Sequence, residues 1–324
     1  MLIYNDIEKG FNDISELAKS KKQFLVAINF EINQIIIVLN PLKQKYVLFR
    51  TPLHTNIRPI KQNNIILNSQ NVSYDDYLKG FRIIQQGLLR GDSYLANYTL
   101  KTPIICNLSL EAMAQCSSSP YCLMIPKHFV SFSPECFVKI CGEEIATHPM
   151  KGTIDANIPN AKAEILKDKK EIAEHNTVVD LLRNDLGIVS NKVIVKQFRY
   201  ITAIHSIKGD LLQVSSEIVG YIGNKWQERL GSILKNILPA GSICGAPKLS
   251  TIKLIQKAEK HTRNFYSGIF GYFDGANFDS AVLIRFIEQD KKENLFFHSG
   301  GGITINSNPI MEYNEILQKI YIPT

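Results

Sequence analysis

The sequence has no hydrophobic run long enough to cross a membrane. Its longest unbroken aliphatic stretch covers only residues 35–39, whereas a membrane-spanning helix needs about 20 apolar residues. The amino-terminal segment also lacks a basic region followed by an apolar one, so it gives no sign of an export signal. We therefore expect a cytoplasmic protein that makes no membrane contact.

The chain also lacks the cysteine spacing of a disulfide framework or a zinc site. Its six cysteines stand at positions 106, 116, 122, 136, 141 and 244. None of them forms a Cys-x-x-Cys pair. In a chain of 324 residues, isolated cysteines of this kind indicate reduced thiols in a reducing compartment.

No stripe of Lys and Arg with interleaved aromatic residues runs through the sequence, although the formal net charge is +7. The basic stretch at 167–170 is interrupted by an acid, and other basic stretches are similar. Nucleic-acid binding is therefore not expected. A net positive charge of this size suits binding of a small anionic substrate. It is equally consistent with a surface whose charge only keeps the protein soluble.

The first 72 residues are rich in strand patterns. A helix is predicted from Ile7 to Lys19, and strands are predicted at 24–30, 34–39 and 45–49. Residues 50–72 are polar and contain Pro52 and Pro59, which is typical of a connector. We expect residues 1–72 to form a short amino-terminal sheet portion of the same domain as residues 73–324.

The rest of the chain mixes strand pairs with scattered helices. Helices are predicted at 74–90, with Ser73 as the N-cap, and at 103–122, 161–186, 225–237 and 311–320. Three short strands are predicted across 121–147 and two across 192–221, and a strand is expected to end near Arg285. Without strict alternation of strand and helix, this order indicates the α+β class.

A lysine stands between a proline and a glycine in the segment Thr147–Thr153. Pro149 has no N–H for a strand ladder, and Gly152 allows the backbone to turn. The pattern predicts that Lys151 lies on a turn at a strand end. An arbitrary loop lysine is a solvated surface residue, so any further role depends on the rest of the chain.

Two predicted helices each carry a pair of glutamates three residues apart. Glu171 and Glu174 share one helix face, and Glu312 and Glu315 share another. Four carboxylates from two helices can hold Mg²⁺, which prefers oxygen ligands and keeps several waters. For either pair alone, a solvated helix face is the simpler interpretation.

Several further residues are candidates for binding an anion. Arg285 needs an anionic partner, either an internal carboxylate or a ligand. The glycines at 300–302 follow a predicted strand and allow a ligand to approach the backbone closely. His205 is isolated in a predicted strand, where histidine usually makes a structural polar contact.

Taken in chain order, these blocks resemble the chorismate-utilising enzymes, which include anthranilate synthase component I, aminodeoxychorismate synthase component I, and isochorismate and salicylate synthases. The resemblance runs from about Tyr74 to Lys319. It rests on five blocks in the family's order: 133–135, 147–153, 174–185, 241–248 and 300–303 with the glutamates that follow. Lys151 makes the chain most similar to aminodeoxychorismate synthase component I, because the other members usually have Ala there.

At one position the chain departs from the family pattern. Leu95 stands where anthranilate and aminodeoxychorismate synthases have Gln, and where isochorismate and salicylate synthases have a Lys that activates water. Leucine has no acid–base chemistry, so water is not expected to be the nucleophile. Family members generally also have a longer amino-terminal portion, which houses an amino-acid effector site in some of them.

The resemblance implies two packed antiparallel β-sheets flanked by helices, with residues 73–324 as the chorismate-binding catalytic domain. It implies Mg²⁺-dependent conversion of chorismate and ammonia to 4-amino-4-deoxychorismate, for p-aminobenzoate and folate biosynthesis. By the resemblance, Lys151 is the nucleophile and Glu135 the general acid. The implied substrate-binding residues are Thr153, His205, Tyr266, Arg285, Gly302 and Lys319, and the implied magnesium ligands are Glu171, Glu174, Glu312 and Glu315.

The sequence contains no Cys–His–Glu glutaminase set in a nucleophile-elbow context. The resemblance therefore implies that ammonia comes from a glutamine amidotransferase partner, component II, or from solution. Two alternatives stay open from the sequence. One is anthranilate synthase component I, which also eliminates pyruvate, and the other is a non-catalytic chorismate-binding relative.

Overall fold

The computed structural model describes residues 1–62, 64–204 and 210–324, with the backbone alone at 169, 170 and 204. The strands are β1 Leu2–Tyr4, β2 Phe24–Ile28, β3 Ile35–Leu39, β4 Leu48–Arg50, β5 Leu67–Ser69, β6 Leu95–Cys106, β7 Tyr121–Ile125, β8 Phe129–Ser133, β9 Cys136–Cys141, β10 Glu144–Thr147, β11 Met150–Asp155, β12 Lys192–Ile204, β13 Leu211–Tyr221, β14 Gly245–Ala246, β15 Ile269–Phe273, β16 Phe278–Val282, β17 Phe286–Gln289 and β18 Leu295–Ile303. The helices are α1 Ile7–Lys19, α2 Tyr74–Leu89, α3 Leu110–Cys116, α4 Ala161–Lys167, α5 Lys169–Val189, α6 Leu230–Ile237, α7 Lys248–Ala258 and α8 Pro309–Gln318.

The strands form two antiparallel sheets. Sheet A has the order β1-β3-β2-β15-β16-β9-β10-β13-β11, with β12 paired to β13. Sheet B has the order β14-β6-β18-β17-β8-β7-β4, with β5 paired to β6. The predicted class, two antiparallel sheets with helices, is confirmed.

The two sheets pack on each other through a buried apolar layer. Sheet A contributes residues such as Leu25 and Phe270 to this layer, and sheet B contributes Phe129 and Phe286. Helices cover the outer faces: α1, α5 and α6 pack on sheet A, α3 packs on sheet B, and α2, α7 and α8 form a third layer beside β6 and β18. Each outer helix buries one apolar stripe and exposes the other face.

The opening segment is built into both sheets. Strand β2 pairs with β15 along its whole length, from Phe24 opposite Phe273 to Ile28 opposite Ile269. Strands β4 and β5 pair with β7 and β6 of sheet B. Within the described part of the chain, no helix is long and apolar enough to span a membrane.

The predicted bounds of two helices were wrong. The helix expected at 103–122 is only α3, because β6 continues to Cys106: it pairs with β18 as far as Ile104 and with β5 as far as Cys106. Ser109 then caps α3 by accepting from the Ala112 N–H at 3.2 Å. The helix expected at 161–186 breaks at Asp168. The Asp168 carboxylate accepts from the Glu171 N–H at 3.0 Å and so starts a new helix, α5. A local cap therefore overrides the helical periodicity.

Three predictions about strands also need correction. Lys151 lies inside β11 and not on a turn, because Gly152, at φ +82°, lets the strand continue past an irregular register against β13. The strand expected to end near Arg285 is β16, which ends slightly earlier, at Val282, and Arg285 at φ +49° lies between β16 and β17. The region 121–147 contains four strands, β7 to β10, where three were expected.

Candidate functional site

A cavity of about 470 Å³ opens between the two sheets at the ends of β11 and β18. Eleven of the residues singled out in the sequence line it, although they come from segments far apart in the chain: Glu135, Lys151, Thr153, Glu171, Glu174, Tyr266, Arg285, Gly302, Glu312, Glu315 and Lys319. His205 lies outside the described residues. We call this space the catalytic cavity.

Lys151 reaches the cavity from β11 and meets the first turns of α5. Its Nζ lies 3.7 Å from Glu174 Oε2, and about a third of each side chain is exposed. Gly152 explains how close the strand and helix come, because a Cβ there would lie 3.0 Å from Glu171 Oε2. The ammonium group is thus placed next to carboxylates, in a cavity large enough for a small ligand.

Glu135 is a half-buried carboxyl of the site. Burial raises its pKa above the ordinary value of 4.5, while a hydrogen bond from Ser242 and the charge of Lys151 act in the opposite direction. The Ser242 hydroxyl donates to Glu135 Oε1 at 2.6 Å. A raised pKa favours the protonated form of the carboxyl, which is the form that a general acid needs.

No sequence motif indicated that Ser242 contacts Glu135. The loop that carries it is fixed to α5 and α7. The Gly241 N–H donates to Asp185 Oδ2 at 3.2 Å, and Lys248 Nζ lies 2.8 Å from Asp185 Oδ1. This buried ion pair joins two helices and holds the loop against the cavity, so it positions the Ser242 hydroxyl.

The four glutamates approach the cavity from two helices. Ser307 donates to Glu312 Oε1 at 2.9 Å, and Lys319 Nζ lies 2.7 Å from Glu315 Oε1. Within the described ranges, no three His, Cys, Asp or Glu side chains stand close enough to hold a metal together. The four side chains that line the cavity nevertheless offer only carboxylate oxygens, and this chemistry fits Mg²⁺.

Other residues that line the cavity present donors for an anion. Burial raises the pKa of Tyr266 to about 12, so its hydroxyl stays protonated and can donate. Arg285 lines the cavity beside it, and its guanidinium lies 5.0 Å from the ring of Tyr321. Lys319 Nζ donates to the Gly300 carbonyl at 2.8 Å, which ties α8 to the glycine-rich end of β18.

Leu95 packs close to Gly302. A Cβ on Gly302 would lie 3.1 Å from Leu95 Cδ1, and a Cβ on Gly301 would lie 3.6 Å from Glu312 Oε2. An apolar side chain therefore stands behind the glycine wall at this point. It offers no group that could activate water.

His298 is a second cavity residue for which no motif gave a signal. It is completely buried in β18, and its Nε2 lies 2.8 Å from Glu288 Oε2. Lys101 Nζ donates to the same oxygen at 2.7 Å. In the described structure, His298 Nδ1 is buried without a hydrogen-bond partner.

The chain matches the family model described as chorismate binding enzyme over residues 19–324. It is 50% identical over 266 residues to an uncharacterized PabA-like protein of Haemophilus influenzae, covering 82% of this chain and 80% of that protein. A PabA-like protein of Pasteurella multocida is 45% identical over 315 residues, covering 95% of this chain and 96% of its own length. Anthranilate synthase component 1 of Arthrobacter globiformis is 35% identical over 203 residues, covering 60% of this chain and 37% of that protein.

Solved structures with this fold include two isochorismate synthases. The isochorismate synthase DhbC of Bacillus anthracis superposes with a TM-score of 0.72 at 20% identity, covering 98% of this chain and 88% of its own. The isochorismate synthase MenF of Escherichia coli superposes with a TM-score of 0.75 at 14% identity, covering 98% of this chain and 82% of its own. These likenesses show the fold alone. The match to the family model over residues 19–324 shows the family. The chain belongs to the family of chorismate-binding enzymes.

Proposed function

We propose that the protein is an aminodeoxychorismate synthase component I, which converts chorismate and ammonia to 4-amino-4-deoxychorismate. The observation that carries the proposal is the position of Lys151. Its amine enters the catalytic cavity from β11, beside Glu174, and Glu135 lines the same cavity. An amine nucleophile and a separate proton donor are the two groups that exchange of a hydroxyl for an amine requires.

In the proposed first step, Lys151 attacks ring carbon 2 and the 4-hydroxyl leaves. The lysine must act as a neutral amine, because only its lone pair can form the bond. Glu135 gives its proton to the departing hydroxyl, which leaves as water. Ser242 holds Glu135 Oε1 by its 2.6 Å hydrogen bond, so the other oxygen is the one that presents the proton.

The hydrogen-bond donors of the cavity would orient the substrate. Arg285 and Tyr266 would bind the enolpyruvyl carboxylate, since Arg supplies a planar fork and Tyr one further donor. Thr153, Gly302 and Lys319 would lie around the ring carboxylate. These groups are spread over the two sheets and α8, so binding fixes the ring between the sheets.

The four glutamates of α5 and α8 would hold Mg²⁺ when the substrate is present. When bound, the ion neutralises carboxylate charge on the substrate. The four glutamates carry four formal negative charges in a cavity that an anionic ligand must enter. Lys151 and Lys319, which pair with Glu174 and Glu315, offset part of that charge.

Ammonia would then attack ring carbon 4 and release the lysine. The amine source would be a glutamine amidotransferase partner, component II, and the product would serve p-aminobenzoate and folate synthesis. A second candidate is an anthranilate synthase component I, because relatives of that name share up to 35% identity with part of the chain. Lys151 favours the first candidate, since the family's anthranilate-forming members usually have alanine at this position.

The test is to incubate the purified chain with chorismate, Mg²⁺ and ammonium chloride and to identify the product by mass. We expect 4-amino-4-deoxychorismate, with the enolpyruvyl group retained. Anthranilate with pyruvate would establish the second candidate, and no turnover would point to a non-catalytic relative. Replacing ammonium by glutamine should give no product from the single chain.

A further inference from the structure

Asn97 lines the catalytic cavity, and neither the sequence blocks nor the proposed mechanism gives it a role. It is half-buried in β6, opposite Gly302 of β18. A Cβ on Gly300 would lie 3.0 Å from Asn97 Oδ1, so the amide lies against a position that has no side chain. Within the described ranges, that amide makes no hydrogen bond to another residue. It is therefore a polar group on the cavity surface whose hydrogen-bonding capacity is available to a ligand.

The backbone of Asn97 is held in place by the loop at 241–246 and by one buried guanidinium. The Asn97 N–H donates to the Cys244 carbonyl at 2.8 Å. Arg263 donates from Nη2 to the Asn97 carbonyl at 2.6 Å and from Nη1 to the Ile243 carbonyl at 3.0 Å. The guanidinium is itself fixed, because Arg263 is 2% exposed and pairs with Glu259 at 2.7 Å. Arg263 thus clamps β6 and the loop side by side.

This clamp places Asn97 in the same part of the cavity as the proposed proton donor. Ser242 precedes Ile243 in the clamped loop and donates to Glu135 Oε1 at 2.6 Å. Asn97, Ser242 and Glu135 all line the catalytic cavity. In the proposed mechanism the 4-hydroxyl leaves at Glu135, and ammonia then attacks the same ring carbon. The Asn97 amide therefore lies on the side of the cavity where the nitrogen arrives.

Leu95 shares one face of β6 with Asn97, because side chains alternate along a strand. Related enzymes have glutamine where Leu95 stands, and leucine has no polar atom to offer a ligand. With leucine at that position, Asn97 is the residue through which β6 brings a side-chain amide to the catalytic cavity. A polar contact from this strand to a ligand in the cavity therefore depends on Asn97.

An amide oxygen suits the nitrogen of incoming ammonia. Ammonia attacks with its lone pair, so its three N–H groups point away from the ring carbon and need acceptors. As the bond forms, the nitrogen becomes positively charged and its N–H groups become stronger donors. An amide oxygen accepts such a hydrogen bond and carries no charge. It therefore orients ammonia without favouring ammonium, whose lone pair is already taken by a proton.

We propose that Asn97 binds the attacking ammonia, with its side-chain oxygen accepting an N–H hydrogen bond while the bond to ring carbon 4 forms. The inference rests on the proposed function, because it requires an enzyme that consumes ammonia. It assigns Asn97 to the second half of the reaction, the release of the lysine adduct, and not to the first.

The atoms and electrons of this step balance. The lone pair of ammonia forms the bond to ring carbon 4, the ring double bond shifts, and the bond between ring carbon 2 and the Lys151 nitrogen breaks. The adduct carries the lysine as a protonated secondary amine, so the lysine leaves as a neutral amine. The new ring nitrogen is first an ammonium group, and it passes one proton to Glu135, which gave its own to the departing hydroxyl. Asn97 exchanges no proton.

The test measures the two halves of the reaction separately. Adduct formation is followed by intact-protein mass with chorismate and Mg²⁺ alone, and adduct release is followed after ammonium chloride is added. Asn97→Leu removes the amide with little change of size. It should slow release about ten- to a hundredfold at a given ammonium concentration and leave adduct formation within about twofold. Asn97→Ala gives the same comparison if the leucine variant does not fold. Asn12→Leu, on the exposed face of α1, is the matched control and should change neither rate.

Asn97→Asp tests the contact with nitrogen by adding a charge at constant size. Near pH 8 an aspartate is ionised, and a carboxylate binds ammonium more strongly than a neutral amide does. The apparent KM for total ammonium should fall about tenfold, and the maximal rate of release should also fall, because the bound cation has no free lone pair. An unchanged KM for ammonium would show that residue 97 does not touch the nitrogen.

The results that refute this inference differ from those that refute the proposed function. If ammonium releases the wild-type adduct and Asn97→Leu and Asn97→Ala release it equally fast, Asn97 does not bind ammonia and the proposed function stands. If these variants slow both halves by the same factor, Asn97 only supports the site, and the inference again fails alone. If the wild type forms no product that depends on ammonium, the proposed function fails and this inference fails with it.

Discussion

Removal of the Ser242 hydroxyl should slow the release of the 4-hydroxyl without unfolding the protein. In the structure, this hydroxyl makes a 2.6 Å hydrogen bond to Glu135 Oε1. The loop around it is held independently by Asp185, which accepts from Gly241 and pairs with Lys248. Ser242→Ala therefore removes one hydrogen bond and leaves the loop anchored.

The size of the effect follows from the strength of the hydrogen bond between Ser242 and Glu135. A hydrogen bond to an ionisable group contributes about 1.5–3 kcal/mol, and 1.36 kcal/mol corresponds to about tenfold in rate. We expect Ser242→Ala to slow the chemical step by roughly ten- to a hundredfold. Because the hydrogen bond lowers the pKa of Glu135, its loss should also move the alkaline limb of the pH–rate profile upward.

The assay is single-turnover formation of the lysine adduct, without ammonium, across a range of pH. Ser242→Thr keeps the hydroxyl and should retain most of the rate and the position of the limb. If Ser242→Ala slows the reaction but leaves the alkaline limb where it is in the wild type, Ser242 acts on something other than Glu135. If it changes neither rate nor limb, Glu135 is not the proton donor.

Three further predictions concern the metal site, a buried acid and a buried ion pair. Glu174→Ala and Glu315→Ala should each abolish Mg²⁺-dependent turnover while circular dichroism stays unchanged; near-normal Mg²⁺-dependent rates in either would remove that residue from the metal site. Burial keeps Glu135 protonated in the folded state above the pH at which the unfolded chain releases the proton, so stability falls as pH rises above about 4.5. Glu135→Gln should flatten this part of the urea-unfolding profile, and an equal slope in both proteins would contradict it. Arg263→Met leaves Glu259 charged and buried and should lower the free energy of unfolding by about 3–5 kcal/mol; a loss below about 1 kcal/mol would show that the pair is not buried as described.

Local signals in the sequence were sufficient for the elements near the start of the chain. Helix α1 spans the predicted residues because its apolar positions have helical spacing, and Ser73 caps α2 as expected, accepting from the Asp76 N–H at 3.2 Å. The site residues were assigned to one site because the sequence blocks that carry them resemble those of the family, in the same order. Spacing alone did not place them together.

Contacts between distant segments could not be predicted. Ser242 is 107 positions from Glu135 and His298 is 10 from Glu288, yet neither pair has a sequence pattern that distinguishes it from ordinary loop or strand residues. The break at Asp168 depends on whether one carboxylate folds back onto the helix start. Lys151 is in a strand because β13 supplies a pairing partner, and a local pattern of Pro and Gly does not reveal that.

The most direct test of the account is the mass of the intact protein after incubation with chorismate and Mg²⁺ in the absence of ammonium. Wild type should carry an adduct of chorismate less one water, which ammonium then releases, and Lys151→Ala should carry none. Lys151→Arg keeps the positive charge but has no neutral nitrogen to attack with, so it should also carry none and lose activity about a thousandfold or more. An active Lys151→Arg, together with no adduct on the wild type, would contradict the covalent role of Lys151.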